Sequence, residues 1–257
     1  MEKKKRKLNI KKFLFGLLTI FFASMFIYSG WKILGWLKDN KDNRELKKKT
    51  EESITVKPDE PDEKKYDIDF TALKAHNPNT VAYLNVKGTN IDYVVVRGKD
   101  NSYYLRRTFD RTWNASGWIF ADYRNDFDGT DKNIIIYGHN TKDGSMFGSL
   151  KNTLTEEWRS NKENRQIVLV TEQGTFLYEV FSTYTRNPEE YYITTYFGNI
   201  DFNGFVNELA SRSNFDYGVD LSNVSQILTL STCSDDLAGR VIVHAKLINN
   251  GEENNEN

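Results

Sequence analysis

Residues 13–31 carry no charged side chain, and the apolar character continues past Lys32 to Leu37. No face of the run 13–28 is polar, so it reads as a helix built for lipid. A helix of about 20 residues spans the roughly 30 Å hydrocarbon core. Residues 38–65 are different: they are rich in Lys, Glu, Asp and Asn, contain Pro58 and Pro61, and show almost no apolar periodicity. That composition predicts a charged linker or a frayed helical stalk. From 66 to 249 the pattern becomes a series of short runs rich in β-branched and aromatic residues, at 81–86, 91–96, 117–121, 133–137, 166–171, 175–184, 226–231 and 240–248. Lys87-Gly88-Thr89-Asn90 and Gln173-Gly174 supply turns between neighbouring runs. Eight short strands with little helix between most of them predict a mainly β fold, an antiparallel or mixed barrel.

Three segments read as helix, at 67–76, 154–163 and 201–212. In the last, Asp201 is a capping residue, and Phe202, Phe205, Val206 and Leu209 fall at helical spacing. It lies in a connection of about 40 residues between two predicted strands, and loops of that length usually carry function. The block 66–249 is long enough for one well-buried core. The tail 250–257 is polar and reads as disordered.

Charge refines the picture. Residues 1–12 hold seven Lys or Arg against Glu2 alone. Such a cluster stays cytoplasmic, which places the chain after Leu37 outside the cell and Tyr28, Trp31 and Trp36 at the outer interface. The resulting organisation is a cytoplasmic basic segment (1–12), a single-pass transmembrane signal anchor (13–37), a charged linker (38–65) and an extracellular domain (66–249). A cleaved signal peptide is the competing reading, but its apolar region would be about 7–15 residues and would end in a small-x-small cleavage site. Beyond residue 37 there are 27 basic and 35 acidic residues, a net of −8. A mildly acidic ectodomain argues against nucleic-acid binding, which favours a basic patch.

Cys233 is the only cysteine, so it forms no internal disulfide. It is an inert core residue, half of an intermolecular bond, or a nucleophile. A nucleophilic thiol needs a base or a cation beside it, because a free cysteine has pKa near 8.5. Of three histidines, His76 ends a predicted helix and reads as a surface or capping residue. His244 shares a strand face with Arg240 but stands about 13 Å along it, too far for a common site. His139 follows the run 133–137 at a strand end, after Gly138, where a rigid scaffold presents catalytic groups. Arg240 opens the last predicted strand seven residues after Cys233. It is either an exposed surface arginine or a fixed cation that hydrogen-bonds an oxyanion.

Taken together these residues resemble the sortases, membrane-anchored transpeptidases of Gram-positive bacteria. Thr229-Leu230-Ser231-Thr232-Cys233 is similar to the family's T-L-x-T-C signature. Ile136-Tyr137-Gly138-His139-Asn140 is similar to its histidine segment, and Arg240-Val241-Ile242-Val243 to its arginine strand. The stretch from Gly117 to Arg124, Gly144-Ser145-Met146-Phe147, and a helix-bearing insertion before the cysteine strand resemble class B. The resemblance implies an eight-stranded sortase-type barrel with N-terminal helices. Cys233 would form a thioester with the threonine of a C-terminal sorting signal on a secreted protein. His139 would act as acid and base, Arg240 would orient the substrate and stabilise the oxyanion, and a peptidoglycan amine would be the acceptor. It also implies substrate-binding roles for Ser231 and Thr232 along a groove and for Tyr192 against the sorting signal, with core packing the other reading of Tyr192. Asp235 would hold Arg240 or be only a loop carboxylate. No cofactor is expected, and no cluster resembles the calcium site of some class A enzymes. Two other readings are a hydrolase that uses water as acceptor and a non-catalytic surface binding module with a buried cysteine.

Overall fold

The structure, a computed structural model, describes residues 10–62, 64–233 and 239–250, without the side chains of Cys233, Asn249 and Asn250. Two compact units divide at residue 42. Helix α1 (Ile10–Glu51) begins in the first, and its 18-residue apolar window makes it the one helix among the described residues long and apolar enough to cross a membrane. The apolar side chains from Phe13 to Leu37 are exposed along it, as expected of a surface made for lipid rather than water. Residues 38–65, read from composition as a charged linker or a frayed helical stalk, contain the end of α1 and strand β1 (Ile54–Val56). In the second unit, Asn43 donates to Asn114 and Gly117, Arg44 faces Asp143, and Lys47 lies over the Tyr93 ring. These tertiary contacts hold a polar helical segment that has no apolar stripe of its own.

β1 pairs antiparallel with β2 (Tyr66–Ile68), which occupies the start of the segment expected to be helical from 67. The helix α2 (Phe70–His76) begins only after Asp69, whose carboxylate caps the Ala72 N–H. The barrel strands are β3 (Thr80–Val86), β4 (Asp92–Arg97), β5 (Phe120–Ala121), β6 (Asn133–His139), β7 (Gln166–Thr171), β8 (Gly174–Arg186), β9 (Ile227–Cys233) and β10 (Arg240–Asn250). Helix α3 (Glu156–Ser160) precedes β7, and α4 (Phe202–Ser211) lies in the insertion between β8 and β9. The strands close in the order β10-β8-β7-β3-β4-β5-β6-β9. The pairs β4/β5 and β6/β9 are parallel and the rest antiparallel, so the eight-stranded barrel is mixed.

Alternation along the strands explains the layers. Leu84, Val86, Ile167, Leu169, Leu228, Leu230, Val241 and Val243 point inward to the main core. Tyr83, Val168, Val170 and Leu177 point outward but are covered by Phe70 and by Ile54, Tyr66 and Ile68 of the N-terminal hairpin. Phe181, Tyr184, Ile227 and Ile242 point outward on the other side, beneath Tyr192, Phe197, Phe205, Val206 and Leu209 of the insertion. With both faces covered, these strands read as nearly continuous apolar runs. β5 is shorter than the run 117–121 suggested. Gly117 adopts φ +57°, and a Cβ there would lie 2.3 Å from the Tyr104 carbonyl oxygen. Trp118 is buried and donates to the Val94 carbonyl, so the chain joins the sheet only at Phe120.

A chain of polar groups crosses the interface between barrel and insertion. Thr229 donates its hydroxyl to Asn133 Oδ1 at 2.7 Å. Its oxygen then accepts from His244 Nδ1–H at 2.9 Å. The remaining ring nitrogen, Nε2, accepts from the Tyr184 hydroxyl at 2.9 Å. Asn133 Nδ2 donates to the carbonyls of Tyr192 and Thr194 in the insertion. His244 is therefore neutral, in the Nδ1–H form. Burial, with Arg212 adding to it, pushes its pKa down to about 3.

Because the unfolded His244 titrates near 6.5 and the folded one near 3, its neutral form costs nothing above pH 6.5. Below that the unfolded state gains the proton and the fold does not. Denaturant titrations should show stability falling between pH 6.5 and 3. In His244→Gln the slope should be shallower by close to one proton, and an unchanged slope would refute the assignment.

Candidate active site

β6 and β9 run side by side in the same direction and end at the same level. Their register pairs Tyr137 with Ser231, Gly138 with Thr232 and His139 with Cys233. β10 pairs antiparallel with β9, Ile242 opposite Ser231; carried on by two residues, that register sets Arg240 opposite Cys233. On its other edge Arg240 pairs with Arg186 at the end of β8. The strand positions His139, Cys233, Arg240 and Arg186 thus form one row across four adjacent strands, spaced about 5 Å per step. The structure brings together the three residues picked from sequence as nucleophile, acid/base and cation. Asp235 lies outside the described residues.

Gly138 lets this corner close. A Cβ there would come 2.5 Å from Ile119 Cδ1 and 2.7 Å from Phe147 Cγ, so only glycine fits between those buried side chains. The loop after His139 folds straight back, with the N–H groups of Thr141 and Phe147 both donating to the His139 carbonyl. Its half-buried ring donates from Nε2 to the Leu105 carbonyl at 2.7 Å. In the neutral ring this fixes the proton on Nε2 and the lone pair on Nδ1.

Arg240 is half-buried. Its Nη1 donates to the Tyr192 hydroxyl at 3.4 Å. Its Nε is buried and has no hydrogen-bond partner among the described residues. Tyr192, read as facing a sorting signal or as core packing, has a fully buried ring in the cluster between insertion and barrel. Its hydroxyl meets Arg240 and, at 3.3 Å, Ser231 Oγ. Ser231 and Thr232 are fully buried too, not spread along a groove. Thr232 lies on the inward face of β9, where its hydroxyl accepts from the Val241 N–H at 2.9 Å. It ties the end of β9 to the start of β10, holding the positions of Cys233 and Arg240 against each other. His76, read as a surface or capping residue, bonds Asp110 and faces Lys49, on a different part of the barrel.

Residues that sequence reasoning did not single out brace the insertion under Arg240. Asp122 is fully buried and takes a two-bonded contact from Arg124 Nε and Nη2, a bond from Asn101 and one from the Tyr137 hydroxyl. Burial alone would raise the Asp122 carboxyl, but the bonds from Arg124 and Asn101 hold it below the usual carboxylate range. Burial first and the Asp122 charge second push the Tyr137 phenol upward. Arg124 also donates to the Ile193 carbonyl, next to Tyr192. The spacing Asp122-x-Arg124 after a strand was the available signal, whereas Asn133 read only as a strand residue. Among the described residues no cluster of His, Cys, Asp and Glu is placed to hold a metal.

The chain matches the sortase domain family model over residues 65–248. It is 34% identical over 254 residues to sortase B of Listeria monocytogenes, covering 94% of this chain and 99% of that protein. It is 29% identical over 245 residues to sortase B of Staphylococcus aureus, covering 94% and 99%. Among solved structures, a sortase B of Bacillus anthracis superposes with TM-score 0.70 at 35% identity, covering 82% of this chain and 99% of that one. Another sortase B structure superposes with TM-score 0.67 at 29% identity, covering 82% and 97%.

Asp122→Asn should cost about 2–3 kcal/mol of unfolding free energy, since it leaves Arg124 and Tyr137 without their buried acceptor charge. Chemical denaturation at neutral pH reads this directly. A change below about 0.5 kcal/mol, the range of an ordinary surface substitution, would refute the bracing role.

Proposed function

The chain belongs to the sortase family, and within it to class B, and from that premise we propose that it cleaves a C-terminal sorting signal after threonine and transfers the protein to an amino group of peptidoglycan. It is an enzyme of the sortase type, a cysteine transpeptidase acting on protein substrates. The observation that carries the finer reading is the single row of His139, Cys233 and Arg240 at the ends of three adjacent strands.

In this reading the Cys233 thiol passes its proton to Nδ1 of His139, the resulting thiolate attacks the threonine carbonyl carbon, and the carbonyl oxygen becomes an oxyanion. The Arg240 guanidinium donates to that oxygen, and its buried Nε–H, without a partner among the described residues, is the kind of donor that stabilises charge developing there. The carbon–nitrogen bond then breaks, with His139 giving a proton to the departing amine, and a thioester on Cys233 remains. An acceptor amine attacks the thioester, His139 takes its proton, and the thiolate leaves with the new amide complete. A similar sortase B is complexed with triglycine; a peptide amine is the type of acceptor this step requires. Tyr192 acts here through Arg240, holding its guanidinium from beneath, while Ser231 and Thr232 fix the strand ends. The basic N-terminus is the cytoplasmic end and α1 the membrane anchor, so the catalytic domain works outside the cell.

With a library of threonine-containing sorting peptides, intact-mass measurement should find an acyl adduct on the parent enzyme and none on Cys233→Ala. Equal activity of that variant would sink the nucleophile assignment. Product that never carries an added amine, even with peptidoglycan fragments present, would leave hydrolysis as the reaction. Arg240→Lys should lose about 100-fold in kcat/KM, because lysine offers a point charge without the planar fork. Near-parental rates would remove Arg240 from the oxyanion.

A further inference from the structure

Beyond α1 the chain has three tryptophans, Trp113, Trp118 and Trp158. Trp118 and Trp158 are buried, whereas Trp113 is 68% exposed. A tight hairpin over residues 107–113 puts it there. Arg107 and Trp113 form an antiparallel bridge, the Thr108 N–H donates to the Thr112 carbonyl, and the Arg111 N–H donates to the Thr108 carbonyl. The hairpin is held from within. Phe109 is fully buried against the His76 and Trp118 rings, and its carbonyl accepts from Asn77 Nδ2 at 2.8 Å. Directly paired residues of antiparallel strands present their side chains to the same face, so Trp113 shares its face with Arg107. The Arg107 guanidinium lies over the Tyr103 ring at 4.6 Å, and Arg111 is exposed at the tip. Neither arginine forms an ion pair among the described residues. The one acid of the hairpin, Asp110, is taken up by His76.

We propose that this hairpin docks on the membrane surface, with Trp113 at headgroup level and Arg107 and Arg111 on the phosphates of acidic lipids. The tether selects this partner. The hairpin runs into Asn114, whose side-chain oxygen accepts from Asn43 of α1 at 3.3 Å. Asn43 is only six residues beyond Leu37, where the apolar run ends. Six residues reach at most about 20 Å fully extended, whatever direction the chain takes. The headgroup layer fills about 5–7 Å of that span. The hairpin is thereby kept beside lipid headgroups at high effective concentration, and a weak surface suffices. The chemistry also fits. An amphipathic indole ring prefers the membrane–water interface, and an arginine fork takes a phosphate in a two-bonded geometry. The hairpin follows directly on Leu105, whose carbonyl accepts from His139. A second point of attachment here would convert a single tether into a fixed orientation of the site over the bilayer.

This inference rests on α1 being the membrane anchor, and the test separates the two. The full-length chain is placed in lipid nanodiscs of phosphatidylglycerol or of phosphatidylcholine, each with lipid brominated near the headgroup end of its chains. Tryptophan fluorescence is recorded for the parent and for Trp113→Phe, and the difference is the emission of Trp113. In phosphatidylglycerol discs that emission should be quenched by the bromolipid and shielded from aqueous acrylamide. The ratio of docked to free hairpin should fall about fivefold in Arg107→Gln and again in Arg111→Gln, the scale of one arginine at a charged membrane surface. It should fall also in phosphatidylcholine discs and as salt is raised. Trp113 emission reached by acrylamide and not by bromolipid would show a free hairpin and overturn the proposal. Emission reached by neither quencher would mean that protein, such as a second copy of the chain, covers the surface, and would overturn it too. So would bromolipid quenching that is unchanged when both arginines are replaced. In Trp113→Phe the remaining bromolipid quenching comes from Trp31 and Trp36 of α1. Its absence would overturn the anchor reading, and this inference with it.

Discussion

The site depends above all on the parallel pairing of β6 with β9. It joins strands nearly 90 residues apart in sequence and sets His139 level with Cys233. Side chains alternate along a strand, so a slip of one residue would turn every outward group inward. The buried isoleucines at 134–136 and the leucines at 228 and 230 prevent that slip, because each has a place in the core. β10 then takes its register from β9, and β8 from β10. The strand positions of His139, Cys233, Arg240 and Arg186 thus follow from hydrophobic packing several residues away from them.

Around this frame the polar groups do a second kind of work. A buried hydrogen bond adds modest net stability, but leaving one unmade is costly. The Asp122–Arg124 pair and the chain from Tyr184 through His244 and Thr229 to Asn133 both end on backbone carbonyls of the segment 192–194. They converge on the short helical turn that carries Tyr192. Tyr192 in turn meets Arg240, so the start of β10 and the insertion are joined through polar contacts as well as apolar ones.

Much of this was legible in the chain, for identifiable reasons. The strand runs at 133–137 and 226–231 were dense in β-branched residues, and the glycine before His139 marked a strand end. Arg240 lay only seven residues beyond Cys233, a separation that a tight connection can close. What was not legible depended on tertiary contacts. The polar turns of α1 near Asn43 and Lys47 are helical because the barrel offers them partners. β1 and β2, three residues each, are held by pairing rather than by any periodicity of their own. Ser231 and Thr232 were expected to line a groove because they flank Cys233 in sequence, and Tyr192 was read, from the resemblance, as facing a sorting signal or as core packing. The structure buries all three, Thr232 inside the barrel and Ser231 and Tyr192 between barrel and insertion, and flanking in sequence says nothing about which face a side chain takes.

The polar chain beneath the insertion has one more consequence. An interface made only of oily side chains resists being pulled apart but offers little resistance to sliding, since one greasy contact replaces another at small cost. Hydrogen bonds are directional and short-ranged. With Asn133 gripping two carbonyls of the insertion at 3.2 and 2.9 Å, a shift of even an ångström along the strand would break both at once. The insertion therefore sits on the barrel like a key in a slot, fixed in translation as well as in depth.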